Sequence, residues 1–229
     1  GDHRDLHSFP YTTLFRSMKQ FGILILSLLI GFSSIAQDNP EKDKEAKVIL
    51  EKLGKKLKGY STMTIDFKLS IKSSDLNESQ SGKAYTKGTK FFYTTEDRDV
   101  YSDGESVWTH SKDDNECYID AIEDLDGGIN PSEIMTIWEK NFKYKHFGTK
   151  DGITEIRLYP TNPKESKYHT VILKVNEAKN SIKKITIKTK DAMTIQFSIN
   201  KLTPNTSLSD SKFTWNKAKH PGVDEIDNR

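Results

Sequence analysis

The most constraining feature of this sequence is a segment in which apolar and polar residues alternate. In residues 62–72 every second side chain is apolar, from Met63 to Ile71, and polar residues fill the positions between them. A period of two is typical of a β-strand with one buried and one solvated face. Residues 193–200 repeat the pattern. Because such strands must bury their apolar faces together, the sequence predicts a large sheet around a shared apolar interior.

Other periodic segments predict one helix, a meander of strands, a second helix in mid-chain and further strands. The first helix is predicted from an N-cap at Asn39 to Gly59, and the second starts at Asn130 with Pro131 in its first turn and Phe142 on its apolar side. Strands are predicted at residues 62–72, 81–87, 90–95, 100–102, 106–110, 116–121, 142–147, 153–159, 169–175, 182–190 and 193–202, with a closing segment at 213–215. The order indicates an α+β domain dominated by an antiparallel sheet.

The N-terminal residues differ from the rest of the chain. A short basic region begins at Met18, an apolar run covers residues 21–32, and Ala36 precedes the predicted cleavage site. The run is shorter than the roughly 18 to 20 residues of a membrane span, which disfavours the alternative of a retained anchor. We therefore predict an upstream extension at residues 1–17, a signal peptide at residues 18–36 and a folded domain at residues 37–229.

Composition and motifs bear on the class of function. Lys and Arg number 35 against 33 Asp and Glu, a balance that gives no support to nucleic-acid binding. Export with a single cysteine, Cys117, indicates a bacterial envelope. Acidic turns permit a calcium hypothesis, but turn carboxylates are usually solvated, and histidines lack metal-ligand spacing. With no phosphate loop and no nucleophile elbow, the sequence predicts neither an enzyme nor a cofactor or metal site.

The apolar interior has two interpretations. A large sheet curls as it twists, and a curled sheet covered by two amphipathic helices can enclose either a packed core or a cavity. Periodicity alone favours the packed core, because apolar stripes are core more often than ligand sites. A choice in favour of the cavity needs a further observation.

A set of short motifs, taken in their order and spacing, supplies an observation that favours the cavity. The motifs are Tyr60-Ser61, Ser81-Gly82-Lys83, Lys90-Phe91, the segment from Ser102 to Trp108, the Pro131 helix, Leu158-Tyr159-Pro160, Phe213-Thr214-Trp215 and Pro221-Gly222-Val223-Asp224. Together they resemble the periplasmic outer-membrane lipoprotein carrier family of the LolA type. The resemblance implies an unclosed, strongly curved antiparallel β-barrel with helices lidding an apolar cavity.

The resemblance also implies a function in the periplasm. The cavity would receive the acyl chains of lipoproteins at the inner membrane and carry them to the outer membrane, without a cofactor and as a monomer. Its partners would be acylated lipoproteins as cargo, an ATP-driven inner-membrane releasing complex, and an outer-membrane receptor or the membrane itself. By resemblance the lining includes Met63, Ile65, Phe67, Leu69, Phe91, Trp108 and Phe197, with Ile134, Ile137 and Trp138 on the lid.

One position departs from the family. Members often carry an Arg-Pro pair before the Phe91 strand, and that arginine latches the lid over the empty cavity. Lys87 stands at this turn and is the candidate latch, although a lysine lacks the planar fork of arginine. Two other functions stay open: a sensor of the same fold that reads lipid or misfolded lipoprotein without transport, and a lipid hydrolase. The hydrolase has no nucleophile and base at recognisable spacing, and sensors usually need a second domain or a membrane tether.

Overall fold

The computed structural model describes residues 43–124, 134–139 and 141–229. They belong to one compact unit, Asn39–Arg229. The predicted extension, the signal peptide, the Asn39 cap and the start of the second helix at Asn130 and Pro131 lie outside the described residues. Within the described ranges, no helix is both long and apolar enough to cross a membrane.

One α-helix and twelve strands are the main elements of the described fold. They are α1 (Lys44–Lys58), β1 (Met63–Lys72), β2 (Asn77–Lys87), β3 (Lys90–Thr94), β4 (Arg98–Ser102), β5 (Ser106–Ser111), β6 (Glu116–Ala121), β7 (Phe142–Lys150), β8 (Ile153–Pro160), β9 (Tyr168–Asn176), β10 (Ser181–Thr189), β11 (Thr194–Pro204) and β12 (Asp224–Asp227). The eleven strands predicted from periodicity are confirmed. Their ends differ from prediction by up to four residues.

The twelve strands form a single curved sheet. Its order is β12-β6-β5-β4-β3-β2-β1-β11-β10-β9-β8-β7, so β12 and β7 are free edges and the barrel is unclosed. Neighbours are antiparallel except for β12, which pairs in parallel with β6. The predicted closing strand at residues 213–215 is wrong: Phe213 and Trp215 are buried core side chains, and the last strand is β12.

The helix α1 begins at Lys44 because Asp43 caps it. The Asp43 backbone is extended, and its Oδ1 accepts hydrogen bonds from the N–H groups of Glu45 at 2.9 Å and Ala46 at 3.2 Å. The described helix therefore starts at Lys44, whereas the predicted cap Asn39 lies outside the described residues. The Asp43 Oδ2 accepts from the backbone N–H of His146, which joins the start of α1 to β7.

The second predicted helix is described only at residues 134–139. Ile137–Glu139 form a short 3-10 helix. Phe142, expected on the apolar side of that helix, is instead the first residue of β7. Its ring stacks on Tyr168 of β9 with the ring centroids 5.9 Å apart.

Cross-strand pairing defines an inner and an outer face. Ile65 pairs with Ala84, which pairs with Tyr93, so these side chains share the inner face, and Phe67 two residues on lies there too. Leu50 and the rest of the apolar side of α1 pack into the same core. The inner face is therefore the one that α1 covers.

The outer face carries a second, smaller core. Residues 205–223 pass over β2–β6, where Trp215, Cys117 and Val223 form a buried cluster. The ring of Tyr101 contacts Trp215 with their centroids 5.8 Å apart, and Lys212 places its Nζ 3.8 Å from the centre of the Tyr85 ring. The last part of the chain thus covers one half of the outer face.

Candidate functional site

An apolar cavity lies between the inner face and the segment at residues 134–139. It has a volume of about 60 Å³. Its lining comprises Ile65, Phe67, Leu69, Ala84, Tyr93, Thr95, Ile134, Met135, Ile185, Phe197 and Ile199. The Thr95 hydroxyl donates to Asp97 Oδ1 at 2.6 Å, which satisfies this polar group inside an apolar surrounding.

Two aromatic rings line the cavity next to each other. The rings of Phe67 and Phe197 have centroids 6.2 Å apart and planes inclined by 53°. Phe67 pairs with Gly82 across β1 and β2, and its ring lies against the glycine backbone. The absence of a side chain at Gly82 lets this ring lie across the sheet.

The cavity is small in this conformation. Its volume of about 60 Å³ leaves room for a few water molecules. Ligand pockets usually measure about 300 to 1,000 Å³. Room for a long ligand therefore requires displacement of the Phe67 and Phe197 rings or of residues 134–139.

The structure brings half of the predicted site residues together. Those that line the cavity are Ile65, Phe67, Leu69, Ile134 and Phe197. Met63 and Ile137 pack against the same core without lining the cavity, and Trp138 lines a separate open cleft of about 920 Å³ between α1 and β7. Phe91 lies on the inner face in a neighbouring cluster with Val100 and Val107.

Trp108 is a correction, because it lies on the outer face. It pairs with Tyr101, which pairs with Phe92 and then with Tyr85, all on the face opposite Ile65. Trp108 packs against the Trp215 cluster there. Its apolar character gave no indication of the face, which depends on the register of β5.

Lys87 has its described contacts with the segment that follows β11. Its Nζ donates to Asp210 Oδ1 at 2.8 Å and approaches the Leu208 carbonyl oxygen at 3.5 Å, and both partners belong to the segment after β11. The hydrogen bonds from Lys87 and from Lys90 hold the pKa of the Asp210 carboxyl below its ordinary value. The described contacts of this lysine therefore join β2 to residues 208–210 and do not include residues 134–139, so the latch to the lid stays a prediction.

Six lining residues escaped the sequence analysis. They are Ala84, Tyr93, Thr95, Met135, Ile185 and Ile199. Ile185 and Ile199 lie in predicted strands, and the register of β10 and β11 shows that Ile185 pairs with Phe197. The alternation of apolar and polar residues around Ile185 and Ile199 could have indicated that both side chains are buried. Their closeness to Phe67, however, follows from the order of the strands in the sheet.

His110 is a buried titratable group on the outer face. Among the residues that the structure describes, its Nδ1 has no hydrogen-bond partner. Burial, and then the neighbouring His220, lower the pKa of His110 from its ordinary value. No group of three or more His, Cys, Asp and Glu side chains within the described ranges is arranged to hold a metal ion.

Comparison with known proteins decides the family. The family model described as outer membrane lipoprotein carrier protein LolA matches residues 58–216, which is more than half of the chain. The chain belongs to the LolA family. The match runs from the end of α1 through all of β1–β11 to the segment that packs on the outer face of the sheet. No curated protein matches this sequence.

Solved structures that are similar to this LolA-family chain have low sequence identity to it. An uncharacterized conserved protein from Thermus thermophilus is 8% identical, with 81% of this chain and 100% of that chain covered and a TM-score of 0.52. A LolA superfamily protein from Nitrosomonas europaea is 12% identical, with 74% and 97% covered and a TM-score of 0.42. The likeness to the Thermus protein supports the fold alone.

Proposed function

We propose that this protein is a periplasmic carrier that holds the acyl chains of lipoproteins and transfers them from the inner to the outer membrane. The observation that carries the proposal is the apolar cavity beside Phe67 and Phe197, in a chain of the family described as outer membrane lipoprotein carriers. Ile65, Leu69 and Ile134 complete the surface that we assign to the acyl chains.

The energetics of acyl chains favour a shielded route. Burial contributes about 0.8 kcal/mol per methylene, so exposing three chains of about sixteen carbons to water would cost on the order of 35 kcal/mol. Transfer from a bilayer to an apolar cavity exchanges one apolar medium for another. The net free energy of transfer is then small, which allows both uptake and release.

Uptake would require the cavity to widen. Phe67 and Phe197 occupy the space that a chain would enter, and residues 134–139 border it. We propose that the two rings turn aside and that this segment, as part of a helical lid, moves outward. Contacts between the lining and a chain would replace the contacts between the two rings.

The proposed transport also gives a role to further parts of the chain. Residues 18–36 would direct export as a signal peptide, residues 37–229 would form the monomeric carrier, and residues 1–17 would have no part in it. Because the sequence has no phosphate-binding loop, extraction would draw its energy from an ATP-driven inner-membrane complex. An outer-membrane receptor, or the membrane itself, would accept the lipoprotein.

The test is native mass spectrometry with lipid extraction, on protein purified from an envelope that contains its lipoproteins. We expect an acylated polypeptide or lipid bound in stoichiometric amount. A protein that is empty and also fails to take up added lipoprotein would contradict the proposal and favour a packed core.

Variants connect the bound lipid to the cavity. Phe67→Glu and Phe197→Glu place a carboxylate in the apolar lining and should abolish binding, because an unpaired buried charge is costly. Leu69→Glu, at a half-buried position, should do so with less risk to folding. Phe147→Glu is the matched control, since Phe147 is 43% exposed and its ring contacts Arg157.

A transfer assay separates the carrier from the sensor of the same fold. Loaded protein is mixed with outer-membrane vesicles, and the lipoprotein that appears in the vesicles is measured. A carrier delivers its cargo, whereas retention of the cargo under all conditions would support the sensor.

A further inference from the structure

The two halves of the outer face differ in what covers them. Residues 205–223 pack over β2–β6, where Trp215 contacts Tyr101. On the other half, formed by β1 and β7–β11, Lys68, Lys72 and Lys188 are exposed. This half therefore presents a sheet surface to solvent.

Strand register gathers lysines on that surface. Lys68 pairs with Ser198, which pairs with Lys184, and Lys184 pairs with Lys174, so one row crosses four strands. A second row joins Lys72 to Lys188 through Thr194. We call the surface formed by Lys68, Lys72, Lys174, Lys184 and Lys188 the basic face.

Few carboxylates offset this charge. Glu155 accepts from Lys174 Nζ and Arg157 Nε, each at 2.6 Å. Partial burial acts to raise the pKa of Glu155, but these hydrogen bonds outweigh it and hold the pKa below its ordinary value. Asp66, at the margin of the face, pairs with Lys83 at 3.2 Å.

Four lysines of the basic face remain uncompensated. Within the part of the chain that the structure describes, Lys68, Lys72, Lys184 and Lys188 form no ion pair. The whole sequence is close to neutral, with 35 basic against 33 acidic residues. The positive charge of the basic face is thus a local concentration and does not follow from the composition.

The spacing of these cations suits a plane of anions. Neighbouring strands are about 4.8 Å apart, so Lys68 and Lys184, two strands apart, start about 10 Å from each other. Lys68 and Lys72 lie four residues apart on one strand, about 13 Å. Short polar side chains such as Ser198 and Thr194 separate them, which leaves dispersed point charges and no fork geometry for a single phosphate.

We propose that the basic face is a docking surface for a membrane of anionic phospholipid. Headgroup phosphates spread over a plane match dispersed ammonium groups, and each lysine near such a membrane strengthens binding by about fivefold. The basic face lies opposite the cavity lining, as the pairing of Ile185 rather than Lys184 with Phe197 shows. Membrane attraction and lipid binding are therefore carried by different side chains, and this proposal does not depend on the proposed function.

Vesicle flotation with the compact unit Asn39–Arg229 tests the proposal. Vesicles of phosphatidylcholine alone are compared with vesicles that contain about 30% phosphatidylglycerol. We expect binding to the anionic vesicles only, and its loss at about 0.5 M salt, where charges are screened within a few ångströms.

Two variants with the same change in net charge locate the surface. The quadruple variant Lys68→Gln, Lys72→Gln, Lys184→Gln and Lys188→Gln should weaken binding by about a hundredfold or more. The control carries Lys44→Gln, Lys52→Gln, Lys55→Gln and Lys219→Gln at exposed positions on α1 and near the C-terminus, and should stay within about fivefold of the wild type. Equal thermal unfolding of both variants shows that folding is intact.

Three results would overturn the proposal. One is equal binding to neutral and anionic vesicles, and another is an equal loss in the two quadruple variants. The third is a wild type that does not bind anionic vesicles but binds polyglutamate through these four lysines. The basic face would then recognise an acidic polypeptide.

Discussion

The ring of Phe67 lies so close to the backbone of Gly82 that a Cβ atom at position 82 would come within 2.5 Å of Phe67 Cζ. The same Cβ would lie 2.6 Å from the carbonyl oxygen of Thr94 on β3. Two neighbours therefore exclude a side chain here, one of them a movable ring and the other fixed backbone. The contact sets the position of a ring that lines the cavity.

Gly82→Ala should destabilise the fold through both contacts. We expect a loss of about 1 to 3 kcal/mol in the free energy of unfolding, as for overpacking of a core, measured by urea denaturation. In a Phe67→Ala background the loss should be smaller, because only the Thr94 contact remains. An equal loss in both backgrounds would show that the ring does not press on position 82.

Phe67→Ala should enlarge the cavity at the expense of stability. Removal of a buried phenyl ring costs about 3 to 5 kcal/mol when the site does not collapse. The variant should bind an apolar fluorescent dye more tightly than the wild type. Phe213→Ala is the control: Phe213 is fully buried but belongs to the segment over the outer face, so stability should fall while dye affinity stays unchanged. If Phe213→Ala increased dye affinity as much as Phe67→Ala, the gain would indicate a general loosening of the core.

His110 should make stability depend on pH. Because burial and His220 depress the pKa of His110 in the folded state, the unfolded chain binds more protons once the pH falls below about 6.5. The free energy of unfolding should thus decrease as the pH falls from about 7 to about 5. His110→Phe should flatten this dependence, whereas His169→Gln, at an exposed position on β9, should not. An unchanged slope in His110→Phe would assign the effect to other groups.

Lys87→Met should leave ligand binding by the cavity unchanged. Its partners, Asp210 and the Leu208 carbonyl, lie after β11, and the Lys87–Asp210 pair is exposed, so little stability should be lost. Dye affinity and the urea midpoint are the measurements. If Lys87→Met increased dye affinity while an Asp210→Asn control did not, the lysine would hold the lid closed after all.

The strands of the sheet could be predicted well because the alternation that indicates a strand lies within a few neighbouring residues. Each strand shows its own alternation, and a strand such as β1 needs no partner to display it. The prediction failed in segments where apolar and polar residues do not alternate regularly. Phe213 and Trp215 were read as a strand because they are apolar, whereas β12, with its acidic sequence, has no apolar alternation to detect.

The candidate site could be predicted only in part, for a related reason. Ile65, Phe67 and Leu69 share one strand, so their common face follows directly from sequence. Trp108 lies four strands from β1, and each turn between them resets which side chains point inward. A difference of one residue in register moves a side chain to the other face, and sequence alone does not show it.

By itself the sequence determined the number and order of the main strands, the helix α1 and the signature of the LolA family, because periodicity and motif order are properties of neighbouring residues. Only the tertiary structure decided that Phe67 lies on Gly82, that Trp108 faces away from the cavity, that Lys87 reaches Asp210, and that lysines from separate strands form one surface. These features depend on pairing between segments far apart in the chain, and the free energy of that pairing belongs to the assembled sheet and to no single strand.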